Sequence, residues 1–183
     1  MRSKRVSVPV GLTIIMILLF FSVVFAYLCA QTTNTILQVI YLLVSMGLVF
    51  FSTHPLAHYV VARAYGARVL YFFIAPSDFR RLPQKVARIL GSNLPTIGTK
   101  LDRVSLSKLS NEKRARIFGA GAISSSVLIL IPLVYFIVFS QTAFIAQIFG
   151  MSFFIGNLVF ELAFSTKVGD LAKMKREYAG IHS

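Results

Sequence analysis

Internal disulfides and multi-cysteine metal centres are excluded from the outset, because the 183-residue chain has a single cysteine, Cys29. Its expected role is that of a small packed or lipid-facing side chain. Acidic groups are also scarce, with six Asp and Glu against nineteen Lys and Arg, for a net charge of +13. Such a balance in a soluble protein would suggest nucleic acid. No base-stacking or groove-reading motif accompanies it, so nucleic acid is not an expected partner. Internal repeats and low-complexity tracts are absent too.

Charge is almost missing from four long stretches, Val6–Ala30, Thr35–Ala62, Ile117–Ser140 and Thr142–Thr166, of which only the last contains a charge, Glu161. The chain is 56% hydrophobic, with a mean hydropathy of +0.76, against about 45–50% apolar residues in soluble domains. A helix of about 20 apolar residues crosses a ~30 Å hydrocarbon core, so each stretch can span. The fold class expected is an all-α integral membrane protein with four transmembrane helices, forming one membrane domain over residues 1–183. Arg2, Lys4 and Arg5 before the first run imitate a signal peptide, with A-Y-L-C-A as a faint cleavage site. The run is longer than a signal's apolar region, and an uncleaved anchor is expected.

The basic residues alternate along the chain. Three precede the first span, none lies near Gln31–Asn34, and the 66–116 connection carries eleven against Asp78, Asp102 and Glu112, a net of +8. The turn near Ser140–Thr142 is uncharged, and the 167–183 tail carries Lys167, Lys173, Lys175 and Arg176. By the positive-inside rule this places both termini, the connection and the tail in the cytoplasm of a cell-membrane protein. Membrane lipids are therefore expected partners, through their anionic headgroups.

At about 51 residues, the connection is too long to be an idle link. A-R-V-L-Y-F-F-I-A, Ala67–Ala75, is rich in β-branched and aromatic residues and predicts a strand. Arg80–Leu90 predicts a short amphipathic helix at the membrane interface. Gly91–Gly98 reads as a turn-rich loop, and Ser110 as the N-cap of a segment leading into the third span. Within that span G-A-G-A-I-S-S-S, Gly119–Ser126, is a small-residue face suited to close helix packing. No base can be assigned that would activate Ser124, Ser125 or Ser126.

Chemistry concentrates in F-F-S-T-H-P-L-A-H-Y-V-V-A-R, Phe50–Arg63. His54 and His58 stand four apart and share a helix face, so both imidazoles can reach one cation. Zinc suits imidazole, and a third carboxylate or imidazole would complete such a site. Two carboxylates are candidates, Glu161 inside the fourth span and Asp170 just beyond it. Asn157, one turn before Glu161, shares its face. A carboxylate within a membrane is a functional-site signal. The plainer alternative stays open: the histidines could bond carbonyls or Glu161, Glu161 could pair with Arg63 or Lys167, and Asp170 could be a solvated charge. A proton or ion path is a further alternative, although four spans offer little room for one. His182, in the polar tail, is assigned no role.

T-H-P-L-A-H-Y-V-V-A-R-A-Y-G, G-A-G-A-I-S-S-S and G-N-L-V-F-E-L-A-F-S-T-K-V-G-D, in this order around a β-containing connection, resemble the core of the site-2 protease family of intramembrane zinc metalloproteases. The resemblance covers about Thr35–Lys173 in layout and about ten positions in motif. It implies zinc held by His54, His58 and Asp170, with Asn157 at the family's asparagine. The family's proline-rich turn and following glycine are missing around Gly169–Asp170. Its glutamate beside the first histidine, the general base, is also missing: that place is Pro55. Proline cannot take a proton and disfavours helical geometry at His54, so a kink or a new helix capped by Thr53 or His54 is expected. Losing a positioned base typically costs about 10²–10⁴ in rate. The expected function is therefore that of a proteolytically silent, metal- or partner-binding membrane protein, with other membrane proteins as partners. Two alternatives are carried with it, an accessory subunit of a membrane complex and an active protease with Glu161 as catalytic base.

Overall fold

The computed structural model describes residues 4–76, 95–140, 144–165 and 169–180. In chain order, strand β1, Lys4–Val6, is followed by helices α1, Val8–Gln31, and α2, Thr35–Ala64. Strands β2, Val69–Pro76, and β3, Pro95–Leu101, lead to α3, Arg103–Ser107, and α4, Asn111–Leu128. Helix α5, Leu130–Phe139, continues α4 after a break at Ile129; α6, Phe144–Phe160, passes into a π-helical turn, Glu161–Ser165; and α7 is Asp170–Tyr178. The fold is mostly helical. Four helical stretches are long and apolar enough to cross a membrane: α1, α2, α4 with α5 (Asn111–Phe139), and α6 extended to Ala163.

Side-chain caps set several boundaries. Asn34 Oδ1 accepts the N–H groups of Ile36 and Leu37 at 3.0 and 3.1 Å and starts α2. At its other end Gly66, with φ of 80°, carries a Schellman turn: Gly66 N–H donates to Arg63 O and Ala67 N–H to Ala62 O. This turn redirects the chain from α2 into β2. Ser110 caps α4, as expected, so the helix begins at Asn111 rather than Ile117 and the connection ends earlier than residue 116. Its charged first turns had hidden that start.

The all-α expectation is corrected by a three-stranded antiparallel sheet, in the order β1-β2-β3. Only β2 was expected. β1 is three residues long and charged, too short for an alternating pattern to register. β3 occupies part of the stretch read as a turn-rich loop, because P-T-I-G-T-K-L carries Pro and Gly. Both residues are tolerated in an edge strand. Gly98 is needed there, since a Cβ would overlap the Phe73 ring on β2. The Arg80–Leu90 segment, Lys167 and His182 lie outside the described residues.

The helices pack through a cluster of Cys29, Leu42, Met46, Ile129, Leu133, Phe136 and Ala146. Cys29 thus takes the packed role, its thiol donating to Gln38 O at 3.2 Å. Phe72 of β2 fills the space left by Gly11 of α1, and the Thr99 hydroxyl of β3 donates to Pro55 O at 3.0 Å. The sheet is thereby seated on α2 at the level of the histidines.

Candidate metal centre

Helix α2 runs unbroken through Pro55, so the proline neither ends the helix nor starts a new one. Hydroxyls from neighbouring elements reach carbonyls beside it, Thr99 at Pro55 O and Ser124 at Thr53 O. With the helical register kept, His54 and His58 stand one turn apart, their ring centroids 5.1 Å from each other.

The third group is Asp170, the first residue of α7. Its Oδ2 lies 3.0 Å from His54 Nε2 and 3.0 Å from His58 Nε2, while Lys173 Nζ donates to Oδ1 at 2.9 Å. One ligand atom from each of His54, His58 and Asp170 falls within 4.8 Å of the others, close enough to hold a metal ion. Asp170 is only 16% exposed, which removes its reading as a solvated charge. Burial pushes its carboxyl up, but hydrogen bonds to His54 and His58, with the charges of His58 and Lys173, outweigh burial and hold it well below the usual carboxylate range. Its place at a helix N-terminus favours the anion as well.

The outer nitrogens are already committed. His58 Nδ1 lies 2.7 Å from Ile117 O, and a carbonyl can only accept, so Nδ1 carries a hydrogen. His54 Nδ1 lies 3.3 Å from Ser125 Oγ, and the Ser125 hydroxyl spends its own hydrogen on Gly121 O at 2.9 Å. His54 Nδ1 is therefore the donor in that pair. In neutral imidazoles both Nε2 lone pairs then face one carboxylate oxygen, an arrangement that repels unless a proton or a cation lies between them. Orientation of this kind, with the far nitrogen hydrogen-bonded, is what metal-ligating histidines show.

The backbone of α4 forms a wall of the centre. A Cβ on Gly121 would overlap His58 Nε2 and come within 2.9 Å of His54 Nε2. The small-residue run thus does more than let helices approach: at Gly121 it makes room for the imidazoles, and Ser125 orients one of them. Sequence reasoning missed both roles, together with the Ile117 carbonyl and Lys173. A G-x-x-x-S spacing on a helix facing the His pair is the only signal that could have suggested them.

Glu161 begins the π-helical turn, is 6% exposed, and lies within electrostatic reach of His54 and Asp170, with the Ser165 hydroxyl as hydrogen-bond partner. Those are its neighbours, rather than Arg63. It is not one of the three clustered ligands. Asn157 hydrogen-bonds to none of them among the described residues, and its Nδ2 is buried without a partner. No protein-family model matches the chain, and no curated protein or solved structure shows significant similarity to it.

Proposed function

We propose that the protein is a multi-pass membrane protein that holds one zinc ion between His54, His58 and Asp170, in a site-2-protease-like core that binds membrane proteins without cutting them. The observation that carries this is the convergence of two oriented Nε2 atoms on one half-buried carboxylate oxygen. Zinc–nitrogen and zinc–oxygen bonds of about 2.0–2.2 Å put tetrahedral ligand atoms about 3.3 Å apart, near the 3.0 Å from Asp170 Oδ2 to each Nε2, with all three ligand atoms within 4.8 Å of one another. Two imidazoles and one carboxylate favour zinc over calcium or magnesium, which prefer all-oxygen shells. Bound there, zinc would supply a Lewis acid.

Pro55 separates binding from cutting. It occupies the place of the family's general base and has no group to accept a proton. The same proline fits the helix without displacing either histidine, so ligation survives where that catalytic arrangement does not. The alternation of basic and neutral segments supports both termini on the cytoplasmic side.

Metal analysis of protein purified without chelators tests the reading. About one zinc per chain is expected, lost in His58→Ala and Asp170→Asn; wild-type protein that neither retains nor takes up zinc sinks it.

One observation favours a second reading, an active protease: Glu161 is a buried carboxylate at a π-helical turn, a feature frequent at functional sites. Cleavage of a model transmembrane substrate that stops on Glu161→Gln would support it. A wild-type protein loaded with zinc and inert toward such substrates supports the silent form.

A further inference from the structure

A groove of about 520 Å³, lined by none of the three clustered ligands, opens between α2, α4 and α7. Ala57 and Val61 of α2, Ile123 and Val127 of α4 and Met174 of α7 make its walls apolar. Ile123 and Val127 are each 56% exposed, so the groove is open along its side. The end toward the start of α4 is different in kind. Tyr65, Arg116 and Tyr178 stand there, and Lys113 Nζ lies 5.9 Å from the Tyr65 ring centroid. Arg116 pairs there with Glu112, and Lys113 adds a second cation. The Arg116 guanidinium spends two of its five N–H groups on Glu112 and Tyr65 among the described residues, leaving donors for a further acceptor.

Length and charge indicate what fits. From Arg116 to Leu128, α4 rises about 18 Å, close to one leaflet of a ~30 Å hydrocarbon core. The groove's length and its apolar side, open toward hydrocarbon, suit one extended acyl chain laid along α4. Its cationic end matches a phosphate, whose oxygens pair with guanidinium in a planar, bidentate way.

We propose that this groove is a binding site for an anionic phospholipid. One acyl tail lies along α4 between Arg116 and Leu128, and the headgroup phosphate meets Arg116, Lys113 and the Tyr65 and Tyr178 hydroxyls. Basic pockets between membrane helices hold anionic headgroups by this chemistry, in preference to zwitterionic ones.

The test uses the full chain reconstituted in vesicles of equal phosphatidylglycerol and phosphatidylcholine, released in mild detergent and weighed by native mass spectrometry. Retention of phosphatidylglycerol about tenfold over phosphatidylcholine is expected, near the scale for one to two basic contacts. The doubly neutralised Lys113→Gln, Arg116→Gln protein should keep a tail in the groove but lose the preference. A benzophenone side chain at Val127 should cross-link to lipid in native membranes. Equal retention of the two lipids by the wild type, an undiminished preference in the neutralised variant, or a protein adduct at Val127 would overturn the proposal.

Discussion

At the scale of single residues, the centre depends as much on what surrounds the ligands as on the ligands. Gly121 holds no metal atom, yet its missing side chain is what lets His58 and His54 stand where they do. Gly121→Ala should abolish zinc retention with all three ligands intact, while helical content by far-UV circular dichroism stays at the wild-type level. Retention of stoichiometric zinc by that variant would show that the wall is not needed. Ser125 acts at one remove, by accepting from His54 Nδ1. Loss of such an outer hydrogen bond typically weakens metal affinity about 10–100-fold. Ser125→Ala should fall in that range in a chelator competition, and Ser125→Thr, which keeps the hydroxyl, should recover most of it. A purely steric role would instead leave alanine harmless.

At the scale of elements, α7 decides whether the triad exists. It carries Asp170 at its first residue and is held against α4 by several contacts, the Lys173 ammonium 5.8 Å from the Phe118 ring centroid among them. Met174 packs on Gly119, and Arg114 Nε donates to Glu177 Oε2 at 2.7 Å, with the two side chains 12% and 17% exposed. Removing one partner of a fully buried pair costs about 3–5 kcal/mol. Partial exposure and the other bonds of Arg114, to Leu109 O and Asn111 Oδ1, reduce that to roughly 1–3 kcal/mol. Glu177→Ala should therefore free α7 and lower zinc affinity by about tenfold or more, although Glu177 touches no ligand. Isothermal titration against zinc reads this directly. Unchanged affinity would mean that Asp170 is positioned by the preceding π-helical turn alone.

At the scale of the whole molecule, a cation bound only by the folded state stabilises by mass action, about 2.7 kcal/mol at one hundred times the dissociation constant. For a chain of this size each kcal/mol raises the melting midpoint by about 2–4 °C. Saturating zinc should raise the midpoint in detergent by roughly 5–10 °C, followed by differential scanning fluorimetry. Asp170→Asn should remove the shift, and a shift that persists in that variant would place the ion elsewhere.

The four long apolar helices were legible because they are written locally: an apolar run suited to hydrocarbon must close its own backbone hydrogen bonds in a helix, whatever its neighbours do. Helix periodicity likewise puts His54 and His58 on one face of α2 from their spacing alone. The sheet was only partly legible, since β1 and β3 become strands by pairing with β2, and neither has enough alternating pattern of its own. Proline misled for a related reason: its local preference is to break a helix, yet within the packed helices α2 continues through it.

By itself the sequence determined four apolar helices, the charge alternation along them and a pair of imidazoles one turn apart, because these follow from composition and from the 3.6-residue period. Tertiary structure decided which carboxylate meets that pair. Asp170 is 112 residues from His58 along the chain, and only the docking of α7 on α4 brings its oxygen to both rings. It also decided that Gly121 would be their wall, since no local rule relates a glycine in one helix to a histidine in another.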